Sequence, residues 1–165
     1  MTAPFAAPFL ADTKSVDPAW IDYNGHLNQA YYSVLFDTSL DEILSPAGLD
    51  RSYIEVRRQS YMSVESHYCF IREVFARDPV RVSGLVLDVD DKRLHMFCEL
   101  RHADEGWLSC TSEWLFLHID MQARRAAPWP TDVRDNLEAM KIASAAVHRP
   151  ERAGRSIGIV RKPAP

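Results

Sequence analysis

Between Gln29 and Leu44 the chain sets Ser33, Asp37 and Asp41 four residues apart, and fills most of the intervening positions with Tyr31, Tyr32, Val34, Leu35, Phe36, Leu40, Ile43 and Leu44. Four-residue steps trace one line along a helix, so the segment reads as a helix with a narrow wet stripe and apolar side chains elsewhere. Such a helix cannot simply rest on a surface. It calls for a sheet that curls around it, and this constrains the fold more than any other stretch of the sequence. Asn28 stands where a cap belongs, Asn24-Gly25 is a turn dipeptide ahead of it, and Ser45-Pro46-Ala47-Gly48 supplies two breakers behind it.

The remaining segments read as the material for that sheet. Residues 1–12, with Pro4 and Pro8, form an extended arm. Thr13 to Trp20 can be a first strand, which Pro18 confines to an edge or ends early. Residues 49–59 are polar, with Arg51, Arg57 and Arg58. Tyr61 to Ile71 alternates, with Met62, Val64, Tyr68 and Phe70 on one face and Tyr61, Ser63, Glu65, His67 and Cys69 on the other. Val80–Val89, Arg93–His102 and Trp107–Asp120, separated by short turns, make an antiparallel meander. Pro128 and Pro130 break the sheet, Thr131 caps a helix to about Val147 with Asp132 near its start, and residues 148–165 form a basic tail without periodicity. The order of elements predicts an α+β fold in one domain, residues 13–147, with an arm before it and a tail after it.

Asp22 is placed just ahead of a helix N-terminus. The first backbone N–H groups of a helix lack intrahelical partners, so a carbonyl held there is polarised while the carboxylate faces its carbon. Asp22 can then act as nucleophile or as general base; the competing reading is that it caps the Asn24-Gly25 turn. His26 can bond the same carbonyl oxygen or tie the loop to the sheet. The N–H groups around Asn28 and Gln29 are the oxyanion candidates, because they are fixed before charge develops. Glu65 and His67 share one strand face, either as a pair that orients water or receives a cation, or as a polar edge-strand face meeting its symmetry mate.

Asp22-x-x-Gly25-His26-x-Asn28, followed by an aromatic-rich helix, resembles the signature of the hot-dog-fold acyl-CoA thioesterases of the 4-hydroxybenzoyl-CoA thioesterase type. With Val64-Glu65-Ser66-His67 and Lys92-Arg93-Leu94-His95 downstream, the chain is similar to the thioesterases of carnitine breakdown, whose substrate is betainyl-CoA. The likeness covers roughly residues 13–130, with Gln29 where many of the family carry a second Asn. It implies a sheet wrapped around the central helix and a dimer, or dimer of dimers, formed through the edge strand Tyr61–Ile71, with residues of two subunits sharing a site. It also implies Asp22, His26, Glu65 and His67 in catalysis. For a betaine acyl group, Trp20 and Tyr31 are the rings nearest the motif. An enoyl-thioester hydratase of this fold would carry its His five residues beyond the Asp and before a Pro; here His26 lies four beyond and the Pro is absent. An acyl-CoA sensor would lack the acid.

A net charge of -4 argues against a nucleic-acid partner. Cys69, Cys98 and Cys110 show no metal-ligand spacing and read as reduced, strand-buried thiols. No metal and no cofactor are expected. Arg57-Arg58, Lys92-Arg93 and Arg124-Arg125 are basic pairs, none assigned to coenzyme A. No stretch approaches the length of a membrane span and the N-terminus lacks a signal pattern, so a cytoplasmic protein without a membrane partner is expected.

Overall fold

The computed structural model describes residues 5–159 and 161. The arm carries β1 (Phe9–Leu10), and β2 (Lys14–Ser15) follows. The strand expected over Thr13–Trp20 is therefore only two residues long. Asp17 then accepts from the Ala19 N–H at 2.8 Å and Pro18 opens a 3-10 turn to Trp20, because Pro fixes a turn-compatible φ and offers no N–H to a ladder. Next come α1 (Gln29–Leu44), α2 (Arg51–Arg57), β3 (Gln59–Phe70), β4 (Pro79–Val89), β5 (Arg93–His102), β6 (Leu108–Asp120), β7 (Arg125–Ala126) and α3 (Thr131–Ala145).

The long strands form an antiparallel sheet in the order β4, β5, β6, β3, with β1 beyond β4. Leu35, Phe36, Leu40, Ile43 and Leu44 of α1 pack into the sheet's inner face on Leu94, Met96, Trp114 and Phe116. This is the helix-in-a-sheet arrangement of the hot-dog fold. Gly84 lets the helix approach closely: a Cβ there would stand 3.3 Å from Ile43 Cδ1. The helix is less enclosed than its composition suggests. Ala30, Val34, Asp37, Thr38, Asp41 and Glu42 are all exposed, since one sheet covers only one side of it.

One element is added and one expectation is corrected. The segment 49–59 contains α2, capped by Asp50, whose carboxylate accepts from the Tyr53 N–H. Thr131 is the first residue of α3 rather than its cap, and Pro130 occupies the cap position without a side-chain bond, a place where Pro's missing donor does no harm.

The two edges of the sheet differ. Along β4, β2 pairs with residues 79–80, Ala11 N donates to Val82 O, β1 pairs with residues 83–84, and Ser144 Oγ of α3 accepts from Val86 N. β3 has β6 on one side and no neighbour on the other among the described residues, and Met62, Val64 and Phe70 are about half exposed along it.

Candidate active site

The loop before α1 is fixed by backbone bonds at both ends. Asn28 N donates to Trp20 O at 3.0 Å, Leu27 N to Val74 O at 2.8 Å, and Asp22 N to His26 O at 3.1 Å. Gly25, at φ 87°, closes the turn by donating to Asp22 O, a left-handed position that suits glycine. Asp22 is thereby held at the mouth of the helix. Its Oδ1 accepts from Asn24 N at 2.8 Å, as the turn-capping reading expects, and no described group bonds Oδ2. One oxygen anchors the carboxylate and the other points to no described partner.

At the helix start, Asn28 Oδ1 accepts from Ala30 N at 3.0 Å and Asn28 O from Tyr31 N at 3.0 Å. Asn28 N is already engaged with Trp20 O, so it is not a free oxyanion donor, which corrects that half of the expectation. Gln29 N has no acceptor among the described residues. Asp22, His26, Leu27 and Gln29 line one cleft of about 400 Å³ with Tyr32, Phe70, Ile71, Arg72 and Glu73.

His26 sits at the rim, with Nε2 3.9 Å from Glu73 Oε1 and Nδ1 3.4 Å from Leu27 O. These contacts tie the loop toward residues 71–74, yet they are long enough to leave the ring adjustable. The far wall was missed in the sequence: Phe70–Glu73 joins the cleft only because Leu27 pairs with Val74, a contact 47 residues apart that no local pattern encodes. Tyr32 was legible as an apolar helix residue but not as a wall; its ring meets Phe70 edge-on at 5.1 Å. Arg72 is steadied over the Trp107 ring at 4.0 Å.

Glu65 and His67 do share a face, but Tyr61 and Ser63 do not share it with them. The pairing of β3 with β6 slips between Ser63 and Glu65, a bulge that reverses the alternation. Tyr61 and Tyr68 therefore both point inward, against Phe116 and Trp114. Glu65 and His67 instead line a cleft with His95, Glu113 and Leu115, roofed by Gly154 to Ser156 of the tail. There His95 Nε2 lies 2.7 Å from Glu113 Oε1, and Gly154 N donates to the same carboxylate. Within one protomer Glu65 and His67 are not brought to Asp22. Trp20 and Tyr31 stack on each other at 5.2 Å and 11°, and neither lines the Asp22 cleft.

Cys69, Cys98 and Cys110 are free thiols on β3, β5 and β6; burial pushes Cys98 and Cys110 up to about 12. No helix among the described residues is long and apolar enough to cross a membrane.

A family model described as the thioesterase-like superfamily matches residues 16–137. A betainyl-CoA thioesterase of Pseudomonas aeruginosa is 34% identical over 142 residues, covering 86% of this chain and 89% of that protein. An L-carnitine dehydrogenase/betainyl-CoA thioesterase of Rhizobium meliloti is 34% identical over 149 residues, 90% of this chain; the chain spans 30% of that relative's length. A Staphylococcus aureus protein solved in complex with CoA superposes with a TM-score of 0.86 at 26% identity, covering 97% of this chain and 100% of that one.

Proposed function

Since this chain belongs to the thioesterase-like superfamily, we propose that it hydrolyses an acyl-CoA thioester, and that the acyl group is betaine. The observation that carries the reaction is the conjunction in one cleft of the unbonded Asp22 Oδ2 and of Gln29, whose N–H is free at a helix N-terminus. The thioester carbonyl accepts from Gln29 N–H, and the positive end of the helix stabilises the oxyanion as it forms. Asp22 Oδ2 takes a proton from a water whose oxygen bonds to the carbonyl carbon. The C–S bond then breaks, the electron pair leaves with sulfur, and the thiolate of CoA recovers the proton. His26 borders the oxyanion.

The substrate assignment rests on the names of the two relatives at 34% identity. The functional unit we propose is a dimer joined along the open edge of β3. A strand with half-exposed Met62, Val64 and Phe70 beside unpaired backbone is a feature that proteins cover.

The test is thiol release from betainyl-CoA by the wild type and by Asp22→Asn. The amide keeps the Oδ1 contact with Asn24 N but cannot accept a proton, so turnover should fall by at least ~100-fold with the fold unchanged. Turnover near the wild-type rate would remove Asp22 from the reaction.

A further inference from the structure

The largest of the described cavities is not the Asp22 cleft. It has a volume of about 830 Å³ and lies between the C-terminal half of α1, α2 and the first residues of β3. Leu40, Met62 and the rings of Tyr61 and Phe116 line it, the two rings meeting edge to face at 5.4 Å. Into the same cavity come the carboxylates of Asp37 and Asp41. Tyr61 Oη donates to Asp41 Oδ1 at 3.2 Å.

Two like charges one helical turn apart are destabilising. Among the described residues neither Asp37 nor Asp41 has an ion-pair partner, although the adjacent Glu42 is paired with Lys14. Partial desolvation, and then the neighbouring charge of Asp41, hold the Asp37 carboxyl above its usual range. The cavity thus offers aromatic faces beside two carboxylates without ion-pair partners; Arg51, which also borders it, pairs with Glu55 at 3.4 Å, and Ser45, Ser60 and Ser63 add hydroxyls to its lining.

Its position relates it to the reaction. α1 runs antiparallel to β3: Tyr32 meets Phe70 and Ser33 bonds Tyr68 at one end, and Asp41 bonds Tyr61 at the other. The Asp22 cleft lies at the Phe70 end and the acidic cavity at the Tyr61 end. At roughly 3.4 Å per residue these ends are roughly 30 Å apart in one protomer. When two copies of β3 pair antiparallel about a two-fold axis, the Phe70 end of one comes beside the Tyr61 end of the other.

Building on the dimeric thioesterase reading above, we propose that Asp37 and Asp41, with the Tyr61 ring, form the pocket for a quaternary-ammonium acyl head whose thioester is held at the Asp22 cleft of the other subunit. A trimethylammonium has no N–H to donate. It is recognised by aromatic faces and opposite charge, and it is costly to bury without them. The tail-roofed cleft of Glu65 and His67 is not needed for this recognition.

The experiment compares betainyl-CoA with 3,3-dimethylbutyryl-CoA, which has the same shape with carbon in place of the charged nitrogen. In the Asp37→Asn/Asp41→Asn variant, the ratio of kcat/KM for the cationic over the neutral substrate should fall by about 30-fold, the scale of a desolvated cation's contacts. Asn keeps an acceptor for Tyr61. An unchanged ratio would overturn the assignment, whether both rates fall together or neither falls. A wild type with no preference for betainyl-CoA would overturn the substrate reading along with it. Mixed dimers test the placement: one subunit carries Asp22→Asn and the other the double substitution. Each parent is impaired, but the mixed dimer contains one site with both intact halves and should recover up to about half of wild-type activity on betainyl-CoA. No recovery would overturn the placement across subunits.

Discussion

Gln29 is the first residue of α1, the position where Pro is most at home in a helix. Asn28, at φ -64° and ψ 140°, already has the conformation that a following Pro requires. Gln29→Pro should therefore keep the helix while deleting the one N–H assigned to the oxyanion, and kcat should drop by ~10²–10³ with the melting temperature little changed. An active Gln29→Pro protein would move the oxyanion donor elsewhere. At this scale the sequence was informative about Asp22, the Gly25 turn and the Asn28 cap, because each is a contact over a few residues. It could not assign Asn28 N to Trp20 O, nor seat Arg72 and Glu73 opposite His26, because those contacts depend on the segment after β3 folding back on the loop.

Elements were legible wherever the pattern was long. α1 and the three-strand meander follow from spacing and turns, whereas α2 was passed over as polar chain. Its signals were Asp50 as a cap and Arg51 four residues before Glu55, both short and easily mistaken for solvated loop. The bulge near Val64 was invisible to alternation, since one extra residue changes the phase without changing composition, and it turns Tyr61 inward. The approach of α1 to β4 at Gly84 gives a graded prediction. Ala should be nearly neutral, as its methyl needs only a small shift of Ile43 and Met96, while Val should destabilise by ~1–3 kcal/mol in urea unfolding. Another pin joins α2 to β6. Buried His118 donates from Nδ1 to Ala127 O at 2.8 Å, so its neutral ring accepts at Nε2 from Tyr53 Oη at 2.6 Å, a hydroxyl that also lies 3.2 Å from Gln59 Oε1. Burial holds this ring's pKa below its usual value, outweighing the pull of the Ala127 and Pro128 carbonyls. The unfolded chain then binds the proton first. This site's stability contribution is complete above about pH 6.5 and declines as pH falls toward the depressed pKa. Urea midpoints should drop between pH 7.5 and 5, and His118→Asn should flatten that slope while lowering stability at pH 7.5.

For the whole molecule, sedimentation at micromolar concentration should show a dimer; a stable monomer would contradict pairing through β3. The arrangement of the edges bears on how far such pairing can go. A sheet open on both sides can recruit copies without limit, each new arrival presenting a fresh template to the next. Here β4 is sealed by the arm, by β2 and by the Ser144 hydroxyl, so along the sheet the described residues have a valence of one. Two copies use up both free edges, and strand addition ends there. Sealing β4 thus sets a ceiling on growth, and it lets the protein carry a long exposed strand without polymerising through it.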